Sequence, residues 1–212
     1  DADISTDFEE AQAWNPDNIN DRIKKAVEMT RGEVVTYKGN YIKAWFHSHA
    51  GGMTATAKEG LNFKEAEPPY IKVTKSPDAD AGPEGKKTWS ASFSKDEISS
   101  VIRNELGLET GPIDSVSVAE RGPSGRATQL KIGNATVSAP ELRIALGSME
   151  MRSTLLTSFN VEGDKVLMAG KGFGHGVGLS QWGANVMAKQ KNKPEDIILH
   201  YFKDVDIVKL WK

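Results

Sequence analysis

The chain has 212 residues, 38% of them apolar and 26% charged, with a formal net charge of −2. These values suit one soluble globular domain, with or without an elaborated insertion, and the slight negative balance argues against a nucleic-acid partner. There is no cysteine, which excludes disulfides and thiolate metal sites, and no apolar run nears the ~20 residues of a membrane-spanning helix.

The chain opens on DADISTDF, with no initiator methionine and no signal peptide, so it reads as an internal piece of a longer precursor. Residues 1–15 are acidic and irregular. After the Asn15-Pro16 turn, Ile19, Ile23, Ala26, Val27 and Thr30 fall on one helical face, and Gly32 ends that helix. Two β-rich runs, 33–37 and 41–46, flank Lys38-Gly39-Asn40 and predict a hairpin. The second run delivers Phe46-His47-Ser48-His49-Ala50-Gly51-Gly52 at its end, a cluster of two imidazoles, a hydroxyl and two glycines. His47 and His49 share a face if the strand continues, a spacing that also suits a metal, with Glu59 or His175 as a third ligand. The alternative is a pair of histidines hydrogen-bonded at a strand end, and no bound metal is expected.

Residues 61–85 are weakly patterned. Pro68-Pro69, Ser76-Pro77 and DADAGPEG predict a long surface loop, mobile over 78–87. Residues 88–93 read as a strand. Residues 94–106 read as a helix with a Ser94/Glu97 capping box, Ile98, Val101 and Ile102 inward, and Gly107 as its stop. From Ile113 the pattern becomes β: Val116 and Val118 alternate, Gly122-Pro123-Ser124-Gly125 turns the chain, and Leu130 and Ile132 alternate on the return. A short helix over 138–146 carries Pro140 near its start. Residues 155–161 and 165–169 predict a hairpin across Glu162-Gly163-Asp164. A helix over 181–190, a short helix opened by Pro194, and a strand over 205–211 complete the chain. These elements predict an α+β fold of mostly antiparallel β hairpins packed with several short helices. It forms a single domain over 1–212, with the loop-rich excursion 61–111 as the candidate insertion or subdomain.

Before the 181–190 helix lies GKGFGHGVGLSQWGANVMAKQ. Gly170, Gly172, Gly174, Gly176 and Gly178 alternate with Lys171, Phe173, His175 and Val177. Glycine at every second position of an extended segment strips one face of side chains, so another backbone or a flat ligand can approach. Ser180 stands as the N-cap of the helix through Trp182, Val186 and Met187. His175 then sits just before a helix N-terminus, suited to an anionic or hydroxyl-rich ligand. Gly172, Gly174 and Gly176 have GxGxxG-like spacing but lack the strand–helix unit and acidic partner of a dinucleotide site. The roughly 30 residues after Ser180 are too few for such a sheet. A ribbon serving only close backbone packing is the structural alternative.

GHGVGLSQWGA is similar to the signature near the end of the stage II sporulation protein D family, which includes the related amidase-enhancer proteins. Three further stretches agree with it: AWFHSHAGGMTATAKEG; SGRATQLKIGN with ELRIALG and MRSTLLTSF; and ILHYFKDVDI. The resemblance covers nearly the whole chain. Members of that family look like lytic transglycosylases that cut the glycan strands of bacterial peptidoglycan. The resemblance therefore implies action on glycan strands during spore engulfment, in an extracytoplasmic setting, with a membrane attachment upstream of Asp1. It implies glycan strands and other cell-wall hydrolases as partners, and no cofactor. It also implies that the catalytic glutamate precedes Asp1. Glu120 and Glu150 are the tempting substitutes, but Glu120 beside Arg121 reads as a surface pair and Glu150 has an ordinary charge pattern, so neither is assigned. Relatives that hold a metal with cysteines have a feature this cysteine-free chain cannot share.

Glycan cleavage needs a proton at the scissile oxygen. A lytic transglycosylase can use one acid, because the sugar's own 6-hydroxyl replaces water as nucleophile. The remaining groups position substrate. The candidates here are His47, Ser48, Gly51, Gly52, Gly174, His175, Gly176, Ser180, Gln181 and Tyr201, with Trp182 beside them. The structural alternative has Ser48 serving backbone alone, Gln181 a solvated turn, and Tyr201 and Trp182 the core. The histidine turn and the ribbon are expected to line one groove, with His175 against His47 or Ser48. Two readings from other classes stand beside this one: a non-catalytic glycan-binding or amidase-enhancing module, and a metal hydrolase using His47, His49 and His175.

Overall fold

Asn20 accepts from the N–H groups of Arg22 and Ile23 and so starts α1 (Asp21–Met29). The computed structural model describes residues 15–211, so the expected acidic, irregular start lies outside the described residues but for Asn15. The apolar face of α1 forms at the expected spacing yet is not covered by the described residues: Ile23 is 44% and Val27 63% exposed, and neither hydrophobic cluster of described residues draws on this helix. Next come β1 (Glu33–Tyr37) and β2 (Asn40–Tyr41), joined by Lys38 and Gly39 at φ 51° and 79°, the left-handed pair that a two-residue hairpin requires. Pairing runs Thr36↔Tyr41 and Tyr37↔Asn40 and then stops. The expected strand over 41–46 is thus cut short. The chain leaves β1 after Tyr41 and makes β3 (Phe46–His47) against a different partner.

Then follow α2 (Ala57–Leu61), entered through a Thr56/Glu59 capping box, and the short α3 (Glu84–Lys87). The expected strand and capped helix appear as β4 (Thr88–Ser94) and α4 (Lys95–Leu106), the latter capped by Ser94 and Glu97 and stopped by Gly107 in the left-handed region. The meander β5 (Val116–Arg121), β6 (Ala127–Ile132) and β7 (Ala135–Ser138) leads into α5 (Ala139–Ala145). The hairpin β8 (Leu156–Glu162) and β9 (Lys165–Lys171) precedes the ribbon, which ends in β10 (Leu179–Ser180) and α6 (Gln181–Lys189). The chain closes with α7 (Pro194–Tyr201) and β11 (Asp206–Lys209).

Among the described residues the strands form four small sheets, ordered β11-β1-β2, β10-β3, β4-β9-β8 and β5-β6-β7. All pair antiparallel except β3 with β10, where Phe46 faces Leu179 and His47 faces Ser180. The architecture is the α+β fold expected. Two hydrophobic clusters hold it. The larger gathers Trp89, Phe93, Ile98, Ile102, Leu130 and Met168, so β4 edges the β9-β8 sheet and α4 packs on that core. The smaller gathers Ala55, Ile71, Val177, Tyr201 and Phe202. The glycine ribbon leaves β9 in the first and enters α6 in the second, so it crosses the seam between them.

The loop expected to be mobile over 78–87 is anchored instead. Asp78 is 0% exposed and accepts three hydrogen bonds, and residues 84–87 close into a helical turn. The Asp78 carboxylate serves buried hydrogen bonding, while residues 79, 80 and 83–85 are exposed.

Candidate functional site

The ribbon is not the flat extended segment its alternation suggests. Gly172, Gly174, Gly176 and Gly178 all have positive φ, between 70° and 109°, so the chain zigzags through successive left-handed turns after β9. At all four positions glycine is also demanded by contact, two of them against side chains. A Cβ on Gly174 would stand 2.8 Å from the His47 Cβ, and one on Gly176 would collide with the Arg126 guanidinium. The reason for the glycines is therefore both backbone shape and close approach of buried side chains.

Against this ribbon lies the turn after β3. His49 and Phe173 exchange backbone hydrogen bonds of 3.0 and 2.9 Å, and the N–H of Trp182 donates to the Ser48 carbonyl. The rings of His47 and His175 meet edge to face at 5.6 Å. Asp78 ties the histidine turn to the end of the ribbon. Its Oδ2 accepts from the Ala50 N–H at 2.7 Å and from the Ser180 hydroxyl at 2.5 Å, and its Oδ1 from the Gly52 N–H at 2.9 Å. Ser180 Oγ in turn accepts from the Gly183 N–H as the N-cap of α6.

A second buried network, built on Arg126 and Glu59, braces the other side. Arg126, 0% exposed, donates from Nη1 to the Met53 carbonyl and Ser124 Oγ and from Nη2 to the Ala50 carbonyl. Glu59 accepts from the N–H and hydroxyl of Ser124 and the N–H of Arg126. Burial pulls the Arg126 guanidinium down to about 10, opposed by the Glu59 and Asp78 carboxylates. Neither Arg126 nor Asp78 was singled out from sequence. Arg126 lies within the motif SGRATQLKIGN, but no local pattern marks it as buried.

Hydrogen-bond partners set the histidine tautomers. His49 Nδ1 accepts from the Gly51 N–H, so Nε2 carries the proton and donates to the Ala81 carbonyl. His175 Nδ1 accepts from the Val177 N–H, leaving Nε2–H for the Phe46 carbonyl. His47 donates from Nδ1 to the Val177 carbonyl, and its buried Nε2 meets no partner among the described residues. Both ring nitrogens of His49 and His175 are thus occupied by protein, and among the described residues no three His, Cys, Asp or Glu side chains converge on a metal position.

Burial first, and then the Arg143 charge, push His175 down to about 4. Burial and the His175 ring hold His47 well below the usual histidine range. A histidine kept neutral when folded but free to protonate when unfolded gives stability that is full above about pH 6.5 and is lost as pH falls toward 4. We expect wild type to lose about 2 kcal/mol more between pH 7.5 and pH 4.5 than His175→Gln does, read from urea midpoints. Equal losses would show that His175 titrates freely.

His175 opens onto a cleft of about 920 Å³ formed by the end of α2, the start of β7–α5 and the end of α4. Polar groups around it include Asn62, Lys64, Gln129, Glu141 and Arg143. Glu141 accepts from the Asn62 amide at 2.6 Å and from Lys64 at 3.3 Å. Of the ten residues expected to bind substrate, His175 is the one that lines this cleft. Ser48 is half-buried, and Gln181 is exposed beside a separate apolar hollow with Phe46 and Leu179. Gly51, Gly52, Gly174 and Gly176 serve backbone contacts, while His47 and Ser180 are buried in the bracing network. Tyr201 departs furthest from expectation. It is 0% exposed, and its hydroxyl hydrogen-bonds Ser76 Oγ at 2.9 Å, so it is a core residue out of reach of a ligand. Burial pushes its phenol up to about 12. Glu120 and Glu150 are exposed and neither lines the cleft.

Residues 57–178 match a family model described as a domain of unknown function, DUF8618. An uncharacterized protein of Brachyspira hyodysenteriae is 31% identical over 198 residues, covering 93% of this chain and 52% of that protein. Stage II sporulation protein D of Bacillus amyloliquefaciens is 33% identical over 187 residues, 88% of this chain and 51% of its own. The amidase enhancer of Bacillus subtilis is 28% identical over 245 residues, 90% of this chain and 33% of its own. The chain spans about half the length of the first two of these relatives. The family match takes in α2, Asp78, Arg126 and the ribbon through Gly178, while the histidine turn and Ser180 lie outside it. The chain belongs to the stage II sporulation protein D family.

Proposed function

We propose that this chain is the glycan-holding part of a peptidoglycan lytic transglycosylase of the sporulation D type, acting outside the cytoplasm. The sugar strand would lie in the cleft beside His175. The observation that carries this reading is a neutral imidazole, held beside two buried hydrogen-bond networks, on the wall of a cleft rich in amide, hydroxyl and charged groups. Such groups bind sugar hydroxyls by hydrogen bonding, and a fixed neutral ring positions a substrate without adding charge.

The reading assigns the general acid to polypeptide outside these 212 residues. Glu59 and Asp78, the carboxylates nearest the ribbon, are sealed from solvent with their oxygens occupied as acceptors. Glu141 is exposed but turned to Asn62 and Lys64 as an acceptor. General acid catalysis contributes about 10²–10⁴-fold, so positioning groups alone should leave turnover near background.

A second reading is favoured by the relative named amidase enhancer: a module that binds glycan and assists another hydrolase. One assay separates them. Purified glycan strands are incubated with this chain, and separately with a chain extended toward its N-terminus, and anhydro-ended products are measured. Binding by both and release by the extended chain alone is the expected outcome. Release by this chain alone would overturn the assignment of the acid and turn attention to Glu141. Binding without release by either, with stimulation of an amidase, would favour the second reading. No binding would overturn both.

A further inference from the structure

The ribbon carries a second cluster that the histidine site does not use. Phe173 is fixed by its two backbone hydrogen bonds with His49, and two cations share its ring. Lys86 Nζ lies 4.1 Å from the ring centroid and Arg152 Cζ 5.6 Å from it. The two cations come from different parts of the chain: Lys86 from α3, Arg152 from the segment between α5 and β8. Among the described residues no carboxylate forms an ion pair with either; the neighbouring Glu84 pairs with Lys87 instead. Arg152 is held in place by donating to the carbonyls of Gly85 and Met149. Lys86 makes no such bond, and burial and then the Arg152 charge hold its ammonium below the ordinary lysine value. Two like charges fixed around one aromatic ring, without a counter-charge, make a site for an anion.

The cluster is built onto the sugar site. The Arg152 carbonyl accepts from the Gly174 N–H at 2.8 Å and from Arg143 Nε at 3.1 Å. It therefore joins the ribbon residue before His175 to a side chain that lines the cleft. An anion at Lys86 and Arg152 would gather on Phe173, two chain positions from His175.

We propose that Lys86 and Arg152, gathered on Phe173, bind a carboxylate borne on the glycan strand. This inference rests on the glycan reading above. Two sources of that carboxylate exist in peptidoglycan: the lactyl group of a muramic sugar freed of its peptide, and the acidic groups of an attached peptide. Both offer the same charge-assisted hydrogen bonds to an ammonium and a guanidinium. A glycan of N-acetylglucosamine alone offers neither.

The test measures binding of three labelled ligands to this chain: chito-oligosaccharides, glycan strands stripped of peptide, and strands that retain it. We expect a carboxylate-bearing strand to bind about threefold to tenfold tighter than chito-oligosaccharides at low salt, with the ratio shrinking as salt rises. Preference for stripped strands identifies the lactyl source; preference for peptide-bearing strands alone identifies the peptide. Lys86→Gln and Lys86→Glu should bring the ratio to about one. Lys86 is the residue to change because it makes no hydrogen bond in the fold, whereas Arg152 holds two carbonyls; a melting curve verifies that each variant is folded. Equal affinity for all three ligands, or a preference that survives Lys86→Glu, overturns the carboxylate site and leaves the glycan reading standing. Failure to bind any of the three overturns both.

Discussion

Asp78→Ala is expected to lower the free energy of unfolding by about 3–5 kcal/mol, measured by urea denaturation. The substitution leaves the Ala50 and Gly52 N–H groups and the Ser180 hydroxyl without their buried acceptor. It also removes one of the two carboxylates that support the charge on buried Arg126. Asp78→Asn keeps an acceptor oxygen but turns donors toward donors, so it should cost about 1–3 kcal/mol. A loss below about 1 kcal/mol for the alanine variant would mean that water enters and replaces the carboxylate, and the turn would then be far looser than drawn. Binding of glycan strands should fall with stability, because the same three bonds hold the histidine turn on the ribbon.

Arg126→Met is expected to be of similar size, about 3–5 kcal/mol, for a different reason. It leaves the Glu59 carboxylate buried at 2% exposure with no cation beside it, and strips the Ala50 and Met53 carbonyls of their donor. Adding Glu59→Gln to Arg126→Met removes the uncompensated charge and should recover about 1–3 kcal/mol. Strict additivity of the two substitutions would show that the charges do not interact. The cycle thus separates the ion pair from the packing of the arginine stem.

Local chemistry made much of the fold legible. The Ser94/Glu97 box, the stop at Gly107, the Lys38-Gly39 turn and the Ser180 cap each involve residues within four positions of one another, and each appears where the sequence places it. The meeting of the histidine turn with the ribbon was also legible, because both clusters carried residues with no local use. What escaped were long-range bonds. Asp78 reads as part of a polar, mobile loop, yet its partner Ser180 lies 102 positions away. No local pattern marks Arg126, whose acceptors include Ala50 and Met53. For Tyr201 the core alternative holds, and its contact with Ser76, 125 positions away, has no local sign. The segment 41–46 failed for a related reason. Phe46 and His47 pair with Leu179 and Ser180 rather than continuing the hairpin, and no local propensity distinguishes the two partners.

The pairing of β1 with β11 has a consequence for how the molecule is made. Glu33 through Thr36 face Lys209 through Asp206, so the first described sheet is closed only by residues far along the chain. The histidine turn likewise waits for Ser180. Contacts of such separation form slowly, since the loop must close before any bond rewards it. Until residues 206–209 have been made β1 keeps one edge unfilled, and until Ser180 has been made the histidine turn lacks its partner. The emerging polypeptide therefore stays pliable until these late partners arrive.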